Sequence, residues 1–187
     1  AIEPSMSCGQ CDQCRAGRPH TCRKLRFLGC PGQANGSLSE FIAMPEASCF
    51  PIPNRMTMEQ AVIAEPLSIG IYAVQQSIPM RNAAIGILGC GPIGLCVLLA
   101  ARALKARKIW VTDPIKARRR IALRAGADQA ADPGDSDLVH RIAADEPLLL
   151  DALFECCGQQ SALDQAVSFL KPGGKLMLVG IPEVDRV

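Results

Sequence analysis

Residues 83–113 read AAIGILGCGPIGLCVLLAARALKARKIWVTD. A short apolar run, Ala83 to Leu88, has strand length. Gly89, Gly91 and Gly94 follow in the spacing G-x-G-x-x-G, with Pro92 and Ile93 inside the turn. The apolar, Ala-rich stretch from Leu95 to Ala106 is long enough for a helix. A second strand-like run, Lys108 to Thr112, ends at Asp113. The order is strand, turn, helix, strand, acid, and each part suits a bound dinucleotide. Gly89 permits a tight turn, Gly91 lets backbone approach a pyrophosphate, and Gly94 lets the helix pack closely on the strand. The helix N-terminus offers unpaired N–H groups to phosphate. Asp113 lies at the spacing of about 20 residues expected of an acid that holds the adenosine ribose. The uncharged run 83–101 also has the length of a membrane span, but the three glycines of the turn and Pro92 inside it fit the strand–turn reading instead.

Downstream the alternation continues. The pattern predicts a basic helix over 114–125, a short strand within 125–132, and a helix over 135–144. A strand over 148–157, a helix over 161–170 stopped by Lys-Pro-Gly-Gly, and a strand over 175–180 complete it. Strands alternating with helices predict an α/β fold, a doubly wound parallel sheet of Rossmann type.

Upstream stands CGQCDQCRAGRPHTC, residues 8–22. Cys8, Cys11, Cys14 and Cys22 are spaced C-x2-C-x2-C-x7-C. Four thiolates fill a tetrahedral Zn²⁺ completely, so the site would be structural. An iron–sulfur cluster is the rival, because C-x2-C-x2-C also opens the ferredoxin run. That run would continue with a Cys three residues on and then Pro, whereas here the next Cys is Cys22, followed by Arg23. His20 reads as a loop residue. Between the lobe and the α/β region the pattern predicts a strand at 39–44, a short apolar run at 49–52, and helices at 56–63 and 67–75. Glu65-Pro66 forms a joint between those helices, since the residue before proline is pushed out of the α region.

Composition narrows the classes. Apolar residues make up 49% and charged residues 20%, as in globular proteins. A net charge of +2 supplies no general attraction for nucleic acid. The basic cluster Arg118–Arg120 reads as the solvated face of a helix. Ten cysteines without a signal-peptide pattern point to a reducing cytoplasm and a metal site rather than disulfides.

These segments together resemble the zinc-containing medium-chain alcohol dehydrogenases, most of all their sorbitol and polyol dehydrogenase branch. The cysteine lobe, AVIAEPLSIGIYAV, GCGPIG, and VTD followed by Arg118 and AGAD carry the resemblance. It implies a partial GroES-like catalytic β domain with a structural-zinc lobe over 1–79, and a Rossmann domain lacking its last strand over 80–187. It implies structural zinc on the four cysteines and a catalytic zinc beside Glu65. The pyrophosphate would lie on Gly89–Gly94, and the adenosine on Asp113 and Arg118. NAD is expected ahead of NADP, with an alcohol or polyol as substrate and a homodimer or homotetramer as the assembly. No membrane or nucleic-acid partner is expected. The family's catalytic zinc also uses a Cys and a His-Glu pair ahead of the lobe. Neither His20 nor His140 precedes a Glu, so the chain reads as the middle of a longer enzyme. A non-catalytic dinucleotide-binding module is the alternative.

Overall fold

The computed structural model describes residues 1–182. The chain packs as two compact units, 1–65 and 66–187.

The second unit is built on five parallel strands: β3 (Ala84–Leu88), β4 (Lys108–Thr112), β5 (Gln129–Ala131), β6 (Leu150–Glu155) and β7 (Leu170–Leu178). Their spatial order is β5-β4-β3-β6-β7, so the winding reverses between β3 and β6. That reversal is the switch point at which doubly wound sheets bind their ligands. Strand periodicity sends side chains alternately to the two faces, and both faces are covered. On one face Ile85, Ile87, Ile109, Val111 and Phe154 pack with Ala73 and Val74 of helix α3 (Ala64–Gln75). Val97 and Leu98 of α4 (Pro92–Ala103) and Ala122 of α5 (Lys116–Arg124) complete this layer. On the other face Leu88, Trp110 and Leu153 meet Leu138 and Ile142 of α6 (Leu138–Asp145) and Ala166 and Phe169 of α7 (Gln160–Phe169). Residues 84–88 are therefore a strand and 92–103 a separate helix. Among the described residues no helix is long and apolar enough to cross a membrane.

Several boundaries differ from the sequence reading for clear reasons. Lys171–Gly174 does stop α7, but the chain is already in β7. Leu170 pairs with Leu150 and Lys175 with Ala152, so the Pro-Gly-Gly residues bulge between two ladder positions. The joint expected at Glu65 is instead the first turn of α3. Pro66 is tolerated there because first-turn N–H groups have no intrahelical acceptor to lose. Gly70 seats this helix on α4: a Cβ there would lie 2.5 Å from the backbone carbon of Cys96.

The first unit has little regular structure. β1 (Ser5–Met6) pairs antiparallel with β2 (Arg26–Phe27), and α1 (Asp12–Arg15) is a single turn. α2 (Met58–Ala61) starts at a capping box in which Thr57 and Gln60 exchange hydrogen bonds. The strand expected at 39–44 is absent. Phe41 there is 91% exposed, and no described strand runs alongside to accept its ladder bonds.

Candidate functional site

The cysteine lobe brings its four thiols together. Cys11 is the residue before α1 and Cys14 lies in it, so one helical turn aims both sulfurs the same way. Cys8 arrives from the preceding loop and Cys22 from beyond a short 3-10 turn at Pro19–Thr21. All four sulfurs lie within 4.8 Å of one another. The backbone N–H groups of Cys8 and Lys24 donate to Cys22 Sγ, each at 3.3 Å. Backbone N–H groups of Cys14 and Arg23 bring the Cys11 thiol down to about 6. Lost hydration and the neighbouring thiols push Cys14 up to about 11. Backbone donors aimed at sulfur favour thiolate, the form that binds metal. The donor set therefore fits one tetrahedral Zn²⁺. In the sheet unit burial likewise pushes Cys90 up to about 12 and raises Cys156, with no backbone donor among the causes to favour thiolate. His20 is exposed on its turn, and His140 is exposed on α6, 3.4 Å from Asp137. Neither belongs to the cysteine group.

At the C-terminal edge of the sheet, β3 runs into the glycine turn. Gly89 has φ +97°, in the region that only glycine enters cheaply. A Cβ on Gly94 would lie 1.9 Å from Gly89 O, so helix and turn touch backbone to backbone. A Cβ on Gly91 would meet nothing within 4 Å. Gly91 caps α4 with no side-chain bond to the helix N-terminus, and Pro92 occupies the first turn, followed by Ile93 and Gly94. An uncovered cradle at the end of a twelve-residue helix fits a pyrophosphate.

Asp113, one residue past β4, is 2% exposed. Its Oδ2 accepts from the Cys90 N–H and its Oδ1 from the Ile115 N–H, both at 2.8 Å. Asp113 also lines an adjoining cavity of about 320 Å³, together with Gly89, Arg118, Pro133 and Cys157. Arg118 Nη1 stands 3.7 Å from Asp113 Oδ2. An anionic acceptor, an apolar wall and a glycine cradle form the donor and acceptor set that an adenosine ribose with its pyrophosphate requires.

Two features lay outside the sequence reading and a third was read differently. Glu155, 1% exposed at the end of β6, accepts from the N–H groups of Cys157 and Gly158 at 2.7 Å each and so shapes the cavity wall. Gln165 of α7 donates to Pro133 O at 3.2 Å, joining two residues of the cavity lining. Arg119 is not on a solvated face but turns inward, with its side chain 18% exposed. A polar residue ending a buried strand was the available clue to Glu155; nothing in the sequence flagged the other two. Glu65 is exposed in the first turn of α3.

The fold and these two sites together define a dinucleotide-binding protein with a thiolate metal lobe. Residues 92–187 match the family model described as zinc-binding dehydrogenase, and residues 1–54 match that of the alcohol dehydrogenase GroES-like domain. The chain belongs to the zinc-binding dehydrogenase family. It is 35% identical to L-idonate 5-dehydrogenase of Vitis vinifera, covering 99% of this chain and 52% of that protein. It is 32% identical to sorbitol dehydrogenase of Bacillus subtilis, covering 100% and 53%. A zinc-binding dehydrogenase from Sinorhizobium meliloti, solved with bound NADP, superposes with a TM-score of 0.89 at 30% identity, covering 100% of this chain and 55% of that one. The chain thus spans about half the length of the curated relatives it matches.

Proposed function

We propose that this chain carries the coenzyme site and the structural-zinc lobe of a polyol or secondary-alcohol dehydrogenase that prefers NAD. The observation that carries the reading is Asp113, a buried carboxylate fixed at the end of β4 beside the glycine cradle. Its remaining lone pairs suit the 2′ and 3′ hydroxyls of NAD, whereas the 2′-phosphate of NADP would meet like charge. The cations that could offset that phosphate are partly committed, because Arg119 is paired with Asp132 at 2.9 Å. The N-terminus of α4, with Gly91, Pro92, Ile93 and Gly94, would hold the pyrophosphate, and Arg118 would lie along the adenosine. Cys8, Cys11, Cys14 and Cys22 would hold the structural zinc. Glu65 is assigned to the catalytic-zinc region through its Glu-Pro phrase. When bound, a nicotinamide supplies hydride transfer and a catalytic zinc supplies polarisation of the alcohol oxygen. The family names of the relatives support sorbitol and L-idonate as first substrates to test. Homodimeric or homotetrameric assembly and a cytoplasmic setting complete the proposal; ten free thiols suit a reducing compartment.

One observation favours a second reading, a binding module without chemistry of its own. Among the described residues, the cysteine lobe is the only group of three or more His, Cys, Asp or Glu side chains placed to hold a metal ion. Titration with NADH and NADPH tests the coenzyme reading. NADH should bind more tightly, and Asp113→Asn should narrow the preference by about tenfold. Tighter NADPH binding by the unaltered protein would overturn the NAD assignment. NADH absorbance growing in a mixture of polyol, NAD⁺ and the protein separates the enzyme from the module.

A further inference from the structure

We propose that Arg119 is a positioning residue for coenzyme discrimination: it clamps the backbone at Asp113 to Asp132 and so fixes the ribose acid against the cavity. The inference rests on the coenzyme reading above. α5 begins at Lys116, and Arg119 lies within its first turn, where the backbone N–H groups of Arg118 and Arg119 both reach Ile115 O, at 3.0 and 3.2 Å. From there the Arg119 side chain folds back past the helix start. Its Nη1 donates to the Asp113 carbonyl oxygen and, at 2.9 Å, to Asp132 Oδ2. Asp132 directly follows β5, and its other oxygen accepts from Gly134 N–H at 3.0 Å, fixing the turn that presents Pro133 to the cavity. The Asp113 N–H meanwhile donates to Ala131 O at 3.2 Å. The ends of β4 and β5 are therefore joined by one backbone bond and one guanidinium.

The geometry gives Arg119 a task distinct from that of Arg118. Arg118 is about half exposed and stands 3.7 Å from the Asp113 carboxylate, so it faces the coenzyme side. Arg119 touches the Asp113 main chain and not its carboxylate. It also pairs with Asp132, the residue before the cavity-lining Pro133. A planar guanidinium with several fixed donors can serve a carbonyl and a carboxylate at once; an ammonium keeps the charge but not that fork.

The test is titration of the whole protein with NADH and NADPH, before and after Arg119→Met and Arg119→Lys. If Arg119 aims the ribose acid, Arg119→Met weakens NADH binding about fivefold to tenfold and leaves NADPH binding within about twofold, so the preference shrinks. Arg119→Lys recovers part of it. A purely structural role would lower both affinities together, and that result overturns the inference, as does unchanged NADH affinity in both variants. If the unaltered protein binds neither dinucleotide, the coenzyme reading itself fails and this inference falls with it. The two failures are told apart by the unaltered protein alone.

Discussion

The two units hold their shape by different means. In residues 1–65 only Cys22 and Ser48 are buried, while Leu38, Phe41 and Met58 are largely exposed. In the sheet unit Ile85, Ile87, Phe154 and Leu153 lie at 0–1% exposure, in two layers. At about 25 cal/mol per Å² of apolar surface, the sheet unit can be stabilised by burial. Residues 1–65 bury far less within this chain, and their most concentrated interaction is four sulfurs around one point. Where a core is missing, metal binding energy becomes folding energy. Where a core is present, coenzyme sites can be cut into its edge without endangering it.

The largest effect tests the lobe. Cys11→Ser should release zinc, which metal analysis should otherwise find near one equivalent. Limited proteolysis should then cut within 1–65 while the sheet unit stays protected, since a zinc site of this type contributes on the order of 10 kcal/mol to folding. A protease-resistant lobe without metal would break the comparison.

Phe154→Ala is the converse. It empties the centre of the sheet and should destabilise that unit by about 4 kcal/mol in denaturant unfolding, with zinc content unchanged. Zinc loss in this variant would mean that the two units do not stand on separate footings.

The smallest effect concerns pH. Burial pushes the Asp151 carboxyl up, but Lys171 and the Ala84 N–H outweigh it and hold it below the usual carboxylate range. A carboxyl depressed in the folded state contributes fully above its unfolded value, near 3.8, and that contribution is lost as pH falls through the folded value. Asp151→Asn should therefore lower sheet-unit stability at neutral pH, and the gap from the unaltered protein should close as pH drops below about 3.8. A gap that stays constant to low pH would remove Asp151 from the account.

The two units also differed in how far their sequence could be read. β4 was expected at 108–112 and lies there, because its buried centre, Ile109 to Val111, is an apolar run of strand type bounded by polar Lys108 and Thr112. The glycine turn was legible because each glycine answers a separate steric demand, most plainly Gly94 against Gly89 O. The cysteine cluster was legible because ligand spacing is a local property. The expected strand at 39–44 failed because local alternation cannot reveal whether a partner strand lies alongside. The joint expected at Glu65 failed because proline's rule against helix relaxes at a helix start. Arg119 escaped because its role depends on the ends of β4 and β5 meeting in the fold, and Glu155 because its partners are backbone N–H groups of the turn after β6, which residue types do not reveal.

Asp113 carries a consequence for how coenzyme preference can change in such a protein. Its carboxylate is a brace, holding the Cys90 N–H on one oxygen and the Ile115 N–H on the other, and on the proposed coenzyme reading it would be the recognition group as well. Deleting the acid to admit a phosphorylated coenzyme would also leave the buried Cys90 N–H without an acceptor, at a cost of about 1–3 kcal/mol, and release the part-buried Ile115 N–H. A switch of preference therefore runs uphill in stability before it gains anything in affinity. The accessible routes keep an acceptor at this position and add positive charge from outside, so the site's architecture restricts which substitutions selection or a protein engineer can try first.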